Sequence, residues 1–358
     1  MKKFSYKKYK HIKEEPTWVY FKGVPVIENV RMENFCICQK ENVVFKNCIF
    51  VNGKDNGLCL AETGAAFYNC IFAFNKGCGI YLCENAHDFK FYDCVFANNE
   101  ESGAYLNNSK DNYFYNCVFE DNKDRGVSLH GKMNMFRTCV FQDNIVGVKS
   151  LKKNSSEFFE CRILDNKKKG VLTSDSLSPK LKSTEIQGGE YGVCSKEHSS
   201  PCLESCMISW QSSIGVHVKD KSFIFIENCT VTKQMRFGVL FDDDSEGRIY
   251  RTKVFNQIPD SANKVLATIN IALCKNSKLI FEKSEMYSTV KNCINACVCL
   301  GNNAFARVNE CNMHNNEIAI EASDKSKCVC SWCYFYKNNA IYDEKSSSSV
   351  DFKNCTFK

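Results

Sequence analysis

No stretch of the chain approaches the ~18 uninterrupted apolar residues of a membrane span, and no helical heptads run through it. The N-terminus, Met1-Lys-Lys-Phe-Ser-Tyr-Lys-Lys-Tyr-Lys10, lacks the apolar h-region and cleavage site of a secretory signal. These absences lead to the expectation of a soluble, cytoplasmic protein with no transmembrane segment. Strong charge is also missing: 47 Lys and Arg against 41 Asp and Glu leave a net charge of +6. That falls short of the basic footprint of a dedicated nucleic-acid binder, so nucleic acid is not an expected partner.

Cysteine, by contrast, is abundant, with 24 in 358 residues. Disulfide scaffolds are usually short secreted chains whose small cores need staples. Here eleven cysteines fall at one repeated site: Cys48, Cys70, Cys94, Cys117, Cys139, Cys161, Cys206, Cys229, Cys311, Cys333 and Cys355. A small buried hydrophobe is wanted there, a role free cysteine fills. In a parallel stack the side chains point the same way, which does not readily give a disulfide dihedral. Reduced thiols in a reducing compartment are expected.

The first six of these cysteines are 22, 24, 23, 22 and 22 residues apart. The phase continues through Thr184, Cys206, Cys229 and Thr252, takes longer steps to Ser284 and Cys311, and returns to 22 at Cys333 and Cys355. A fixed period of this length is a solenoid signature. Three short alternating segments recur per period. The first ends at an apolar residue three before the cysteine (Phe45, Phe67, Phe91, Phe114, Phe136, Phe158, then Leu181, Leu203, Ile226, Ile249 and Phe281). The second runs through the cysteine, and the third begins with glycine, as in Gly79-Ile-Tyr-Leu82 and Gly215-Val-His-Val218. For Phe45, Cys48 and Phe50 all to face inward, the alternation must slip once at Lys46-Asn47. Asparagine suits that corner because it tolerates the left-handed conformation.

Three strands per turn predict an all-β fold, a right-handed parallel β-helix solenoid of about 14 coils with a period of 22–24 residues. The patterns aromatic-x-x-Cys-x-aliphatic and Gly-aliphatic-x-aliphatic resemble those of the right-handed parallel β-helix, or pectin-lyase-like, superfamily over residues 26–358. The resemblance implies the fold and leaves function open, because that superfamily holds lyases, hydrolases, epimerases and recognition proteins without catalysis. Residues 1–25 are expected to form a basic tail or N-terminal cap, and 255–278 and 287–305 lateral loops. The last repeat, Phe352-Lys-Asn-Cys-Thr-Phe-Lys358, has no evident capping segment. Its open strand edges are expected to dock on a partner or a second copy.

Catalysis on such a scaffold calls for clustered carboxylates. The dense acidic cluster is Asp242, Asp243 and Asp244, with Glu246 and Arg248 nearby. Three aspartates can ligate calcium, or two can serve as acid and base, but the cluster follows Gly238-Val-Leu-Phe241, where each coil enters a solvated turn. The Asn-Thr-Asp, Gly-His-Gly and Arg-Ile-Lys elements of polygalacturonases are absent. No cofactor is expected beyond that calcium alternative. His217 projects outward between Cys194 and Leu240, while His87, His130, His198 and His314 are expected in turns. Cys328, Cys330 and Cys333 have knuckle-like spacing but fall on inward positions, so no metal site is expected.

The outer corner carries aromatics instead. Tyr68, Tyr92, Tyr115, Arg137 and Phe159 should stack facing out, with Tyr113 beside them, and Tyr81 and Tyr105 form a second exposed pair. Such side chains contact sugar rings, bases or apolar partner surfaces, or simply stabilise neighbouring strands. A further outward row, Ile49, Ile71, Val95, Val118 and Val140, exceeds random scatter and is expected to be covered, by residues 1–25 or by a partner. Lysines at 2, 3, 7, 8, 10, 152–153 and 167–169 fit a solvating tail and edge-protecting turns. The expected function is non-catalytic recognition of a protein or glycan along the aromatic face. A polysaccharide lyase or glycoside hydrolase, and an assembly unit joined through coil ends, are the rivals. F-box substrate receptors use a similar β-helix, but no F-box segment is present.

Overall fold

The computed structural model describes residues 14–15, 26–32, 35–39, 43–62, 64–151, 155–175, 179–256, 267–288, 294–345 and 347–358. Among them every regular element is a β-strand, and all strand pairs are parallel. The protein is a right-handed parallel β-solenoid of about 13 turns. Each turn contributes one strand to each of three sheets. Sheet 1 holds the strand before the cysteine, such as Ala66–Tyr68; sheet 2 the strand after it, Ile71–Ala73; sheet 3 the glycine-led strand, Ile80–Leu82. The chain forms two compact units, residues 1–145 and 146–358.

In the first unit sheet 1 runs from Val26–Glu28 through Val44–Lys46, Ala66–Tyr68, Lys90–Tyr92 and Tyr113–Tyr115 to Met135–Arg137. Equivalent residues fall in register, so Phe45, Phe67, Phe91, Phe114 and Phe136 form one column. Their rings stack at 4.6–4.8 Å. A second buried stack, Phe50 through Phe72, Phe96 and Phe119 to Phe141, meets the first edge to face. Between them lie the buried Cys48, Cys70, Cys94, Cys117 and Cys139, each Sγ directed at backbone carbonyls. The described cysteines are free thiols, and burial holds those of Cys70 and Cys117 well above their ordinary pKa.

The expected slip is an αL corner, with φ of 52° at Asn47, Asn69 and Asn116. A second αL corner, after sheet 2, is occupied by Asn52, Phe74, Asn98, Asp121 and Asp143. The following asparagines are not solvated turn residues. Asn75, Asn99, Asn122 and Asn144 are buried, and each Nδ2 but the last donates to the next Oδ1 at 2.9–3.0 Å. Each Nδ2 also donates to a carbonyl of the Phe50–Phe119 column, and the Oδ1 atoms of Asn99, Asn122 and Asn144 accept backbone N–H groups. The ladder thus satisfies the polar groups that the turn would otherwise bury unpaired.

Glycine opens sheet 3 for a steric reason. A Cβ at Gly79 would lie 2.6 Å from the carbonyl oxygen of Gly103, and one at Gly215 2.6 Å from that of Gly238. The outward aliphatic row is covered at its start, as its length demands: Ile49 and Ile71 are buried with Val51, Ala73 and Ala97, Val95 packs against them, and Val118 and Val140 are half-buried. The short strand Glu14–Glu15 pairs with Arg31–Met32 on this same sheet. The rest of residues 1–25 lies outside the described residues.

The second unit keeps the three-sheet plan with aliphatic columns. Leu181, Leu203, Ile226, Ile249, Phe281 and Val308 continue one buried position, and Ile186, Ile208, Val231, Val254, Met286 and Met313 another. Its αL corners include Glu160, Arg251, Lys283 and Trp332, residues that disfavour this conformation. The spans read as lateral loops, 255–278 and 287–305, contain the regular sheet 3 strands Ala267–Leu273 and Ile294–Leu300. Residues 257–266 and 289–293 lie outside the described residues.

Candidate functional site

Tyr68, Tyr92, Tyr115 and Arg137 share one register position on the outer face of sheet 1. Tyr68 and Tyr115 are each 39% exposed. The rings of Tyr68 and Tyr92 stack at 4.9 Å and 8°, which closes their facing sides. Tyr115 turns 52° away from Tyr92, and Tyr113 meets Tyr92 edge to face at 5.9 Å. Partial burial raises the Tyr113 phenol pKa. Four phenols from three consecutive coils therefore offer donors and acceptors along an exposed strip, with the Arg137 guanidinium following in register. Phe159 lies in the second unit, half-buried in Glu157–Phe159 and paired in register with Lys182.

The second tyrosine pair lies on sheet 3 and extends to a histidine. Tyr81 stacks on Tyr105 at 5.2 Å, and Tyr105 on His130 at 4.7 Å. Asn107 Nδ2 donates to Tyr81 Oη at 3.0 Å, and His130 Nε2 lies 3.3 Å from Ser128 Oγ. Burial raises both phenol pKa values. These half-buried rings are engaged with one another and offer less open surface than the sheet 1 strip.

In the second unit, the turns between sheets 3 and 1 stack into an open groove of about 720 Å³. It is lined by Glu197, His198, Asp220, Lys221, Asp243, Asp244 and the Lys275–Asn276 turn, among others. Its acids already have partners. Lys275 pairs with Asp243 and lies 3.4 Å from Asp242, and Asn276 Nδ2 donates to Asp244 Oδ1 at 2.7 Å. The hydrogen bond from Lys275 holds the Asp243 carboxyl below its ordinary pKa, so it is an anion at neutral pH with no proton to give. Among the described residues no three His, Cys, Asp or Glu side chains converge as a metal site.

The other sequence candidates lie where register placed them. Cys194, His217 and Leu240 are successive partners on sheet 3. Among the described residues the buried His217 Nε2 has no hydrogen-bond partner, and burial, with Lys219 close by, lowers its pKa. Cys328, Cys330 and Cys333 are all buried. His314, however, is not in a turn. It ends the strand Asn312–His314 inside a stack of Phe255, Tyr287, His314 and Tyr336, with centroids 4.5, 4.9 and 4.4 Å apart. Its Nδ1 accepts from Asn315 at 2.8 Å and its Nε2 donates to Glu285 at 3.1 Å. Both nitrogens being engaged, it is a structural member of the stack. The overlooked signal was periodic: all four rings stand three residues after the cysteine-type site, at Thr252, Ser284, Cys311 and Cys333.

The sequence matches the family described as the right handed beta helix region, over residues 18–134, 83–195 and 178–357. The chain belongs to this family. Solved β-helix structures similar to it include the A-module of the Azotobacter vinelandii mannuronan C-5 epimerase AlgE6. That match has 9% identity, covers 94% of this chain and 91% of that one, and has a TM-score of 0.56. Bacteriophage CBA120 tailspike protein 3 is 8% identical over 88% of this chain and 56% of its own, with a TM-score of 0.60. The Acinetobacter phage gp42 tailspike is 8% identical over 82% and 57%, with a TM-score of 0.58. This β-helix thus spans a little over half the length of those two tailspikes. At such identities the likeness is one of fold. No curated protein matches the sequence. Among the described residues no helix is long and apolar enough to cross a membrane.

Proposed function

We propose that this β-helix is a recognition protein that binds a glycan or a protein along the outer face of sheet 1 in its first unit, without transforming it. The observation that carries this reading is the contact of Tyr68, Tyr92, Tyr113 and Tyr115 on three consecutive coils, with Arg137 next in register. Because the Tyr68 and Tyr92 faces are closed against each other, recognition runs through hydroxyl edges and the more open Tyr115 ring. That chemistry suits hydroxyl-rich ligands such as polysaccharides. The free thiols support a reducing, cytoplasmic setting. The test is binding of the purified protein to a polysaccharide panel and to native lysate, beside a variant carrying Tyr68→Ser, Tyr92→Ser and Tyr115→Ser. Loss of every retained ligand in the variant is expected; wild-type affinity for all of them refutes the strip as the site.

A second reading, a carbohydrate-active enzyme, is favoured by one observation: the open groove lined by Asp243, Asp244 and His198. The pairing of Asp243 with Lys275 and of Asp244 with Asn276 speaks against it. Cleavage of a polyuronide by the wild type, abolished on replacing Asp242, Asp243 and Asp244 with alanine, would establish it instead. Calcium dependence of that cleavage would place the cation among these aspartates.

A further inference from the structure

We infer that the outer face of sheet 1 in the second unit carries a separate site for an amphipathic carboxylate, an aliphatic or aromatic body ending in one carboxyl group. A cavity of about 330 Å³ opens there, lined by Phe223, Glu246, Arg248, Lys278, Ile280, Phe305 and Arg307 together with backbone of Gly247 and Leu279. Phe223, Glu246, Lys278 and Phe305 occupy one register column. The two phenylalanines therefore stand three strand spacings apart, ~14 Å, and close the two ends of the groove. Arg248, Ile280 and Arg307 form the adjacent column, with Ile280 as the apolar floor. Phe223 is 42% and Ile280 39% exposed, although both sit at outward positions where polar residues are the rule for a solvated sheet.

The charges of the groove decide the ligand's sign. Glu246 accepts from Lys278 at 2.9 Å, and Arg248 donates to Glu282 at 2.7 Å through one terminal nitrogen and at 3.1 Å through Nε. Arg307, among the described residues, has no partner. Three of the four lining charges are thus engaged, and the one left over is a guanidinium beside an apolar floor. A planar fork of donors there matches a carboxylate, while the body of the ligand lies over Ile280 between the phenyl rings. The groove's size suits a small molecule.

The test uses the full chain and the fluorescent aromatic anion 8-anilinonaphthalene-1-sulfonate as probe, displaced by decanoate, decanol or decylammonium. Saturable probe binding is expected, with decanoate displacing it at about tenfold lower concentration than either other head group, as one charged hydrogen-bonded contact provides. Arg307→Gln should bring decanoate to the level of decanol. Ile280→Asp, or Ile280→Ser should the aspartate variant lose its β-type circular dichroism, should abolish probe binding. Equal displacement by all three head groups, decanoate binding unchanged in Arg307→Gln, or no saturable binding by the wild type would each overturn the inference. Saturable binding of a lysate protein with no response to decanoate would also overturn it.

Discussion

The two units solve the same geometric problem with different chemistry. Residues 1–145 fill the solenoid with two phenylalanine stacks, bridge its turn with an asparagine ladder, and expose tyrosines. Residues 146–358 fill most equivalent positions with leucine, isoleucine, valine and methionine, with single phenylalanines such as Phe281 among them, and carry ion pairs between coils, such as Arg162–Glu185, Lys182–Glu204 and Lys253–Glu285. In the buried columns the parallel register therefore sets apolar side chains of similar kind over one another while leaving open which kind is chosen. Ring columns add directional contacts, about 0.5–1.5 kcal/mol per pair beyond burial. Aliphatic columns offer burial without that increment.

The largest test of this contrast is Phe114→Ala. Phe114 is fully buried, stacks on Phe91 and Phe136 at 4.6 Å each, and meets Phe96 edge to face. Its truncation should cost about 3–5 kcal/mol, read as a lowered denaturation midpoint. Ile226→Ala, at the equivalent column of the second unit, should cost about 2–5 kcal/mol, below the Phe114→Ala loss. Equal losses would mean that the ring stack is no special source of stability.

Asn122→Ala should come next, at about 2–3 kcal/mol. It removes an acceptor for the Asn99 backbone and side-chain N–H groups and a donor to Phe96 and Asn144. In the second unit the related role falls to Gln211 and Gln234, whose Nε2 atoms cap the carbonyls of Ile186 and Ile208. Gln234 Oε1 has no partner among the described residues, so Gln234→Ala should cost less, about 1–2 kcal/mol. A larger loss at Gln234 would reverse the comparison.

The fold was legible because its signal is periodic: Phe67, Cys70 and Phe72 recur with a slip that a parallel coil must make, and the slip appears at Asn69 as an αL corner. The buried asparagines were harder to read. In sequence, Asp121-Asn122 is an ordinary turn pair, and only the stacked register shows Asn122 turned inward to its neighbours. Covering of Ile49 and Ile71 was legible, because five successive outward aliphatics are too many to leave in water. The tyrosine strip could be named from register, but not the stacking that closes the Tyr68 and Tyr92 faces, a matter of side-chain rotation. His314 reads as a turn residue because its ring column lies three residues beyond the cysteine site, one past the last inward position of the repeat. The groove around Ile280 leaves no mark in the sequence, since charge pairing between coils decides which arginine stays free.

The smallest expected effect concerns the ion pairs between coils on the second unit's surface. Burial opposes ionisation of Glu285, but hydrogen bonds from His314 and Lys253 prevail and hold its carboxyl below the ordinary value. A folded-state pKa below the unfolded one means that the folded protein binds fewer protons. The stabilisation is therefore complete above the unfolded value, about 4.3, and is lost as pH falls through the lower folded value. Glu285→Gln should remove that part of the acid-side decline in stability, a contribution of about 0–1 kcal/mol at neutral pH in line with surface pairs. Tyr113→Phe in the first unit should leave the acid profile unchanged, because its phenol ionises above the ordinary tyrosine value. Denaturation midpoints between pH 3 and 6 for the three proteins decide the matter. An unchanged slope in Glu285→Gln would assign the second unit's surface pairs to solubility and register, leaving stability to the interior columns.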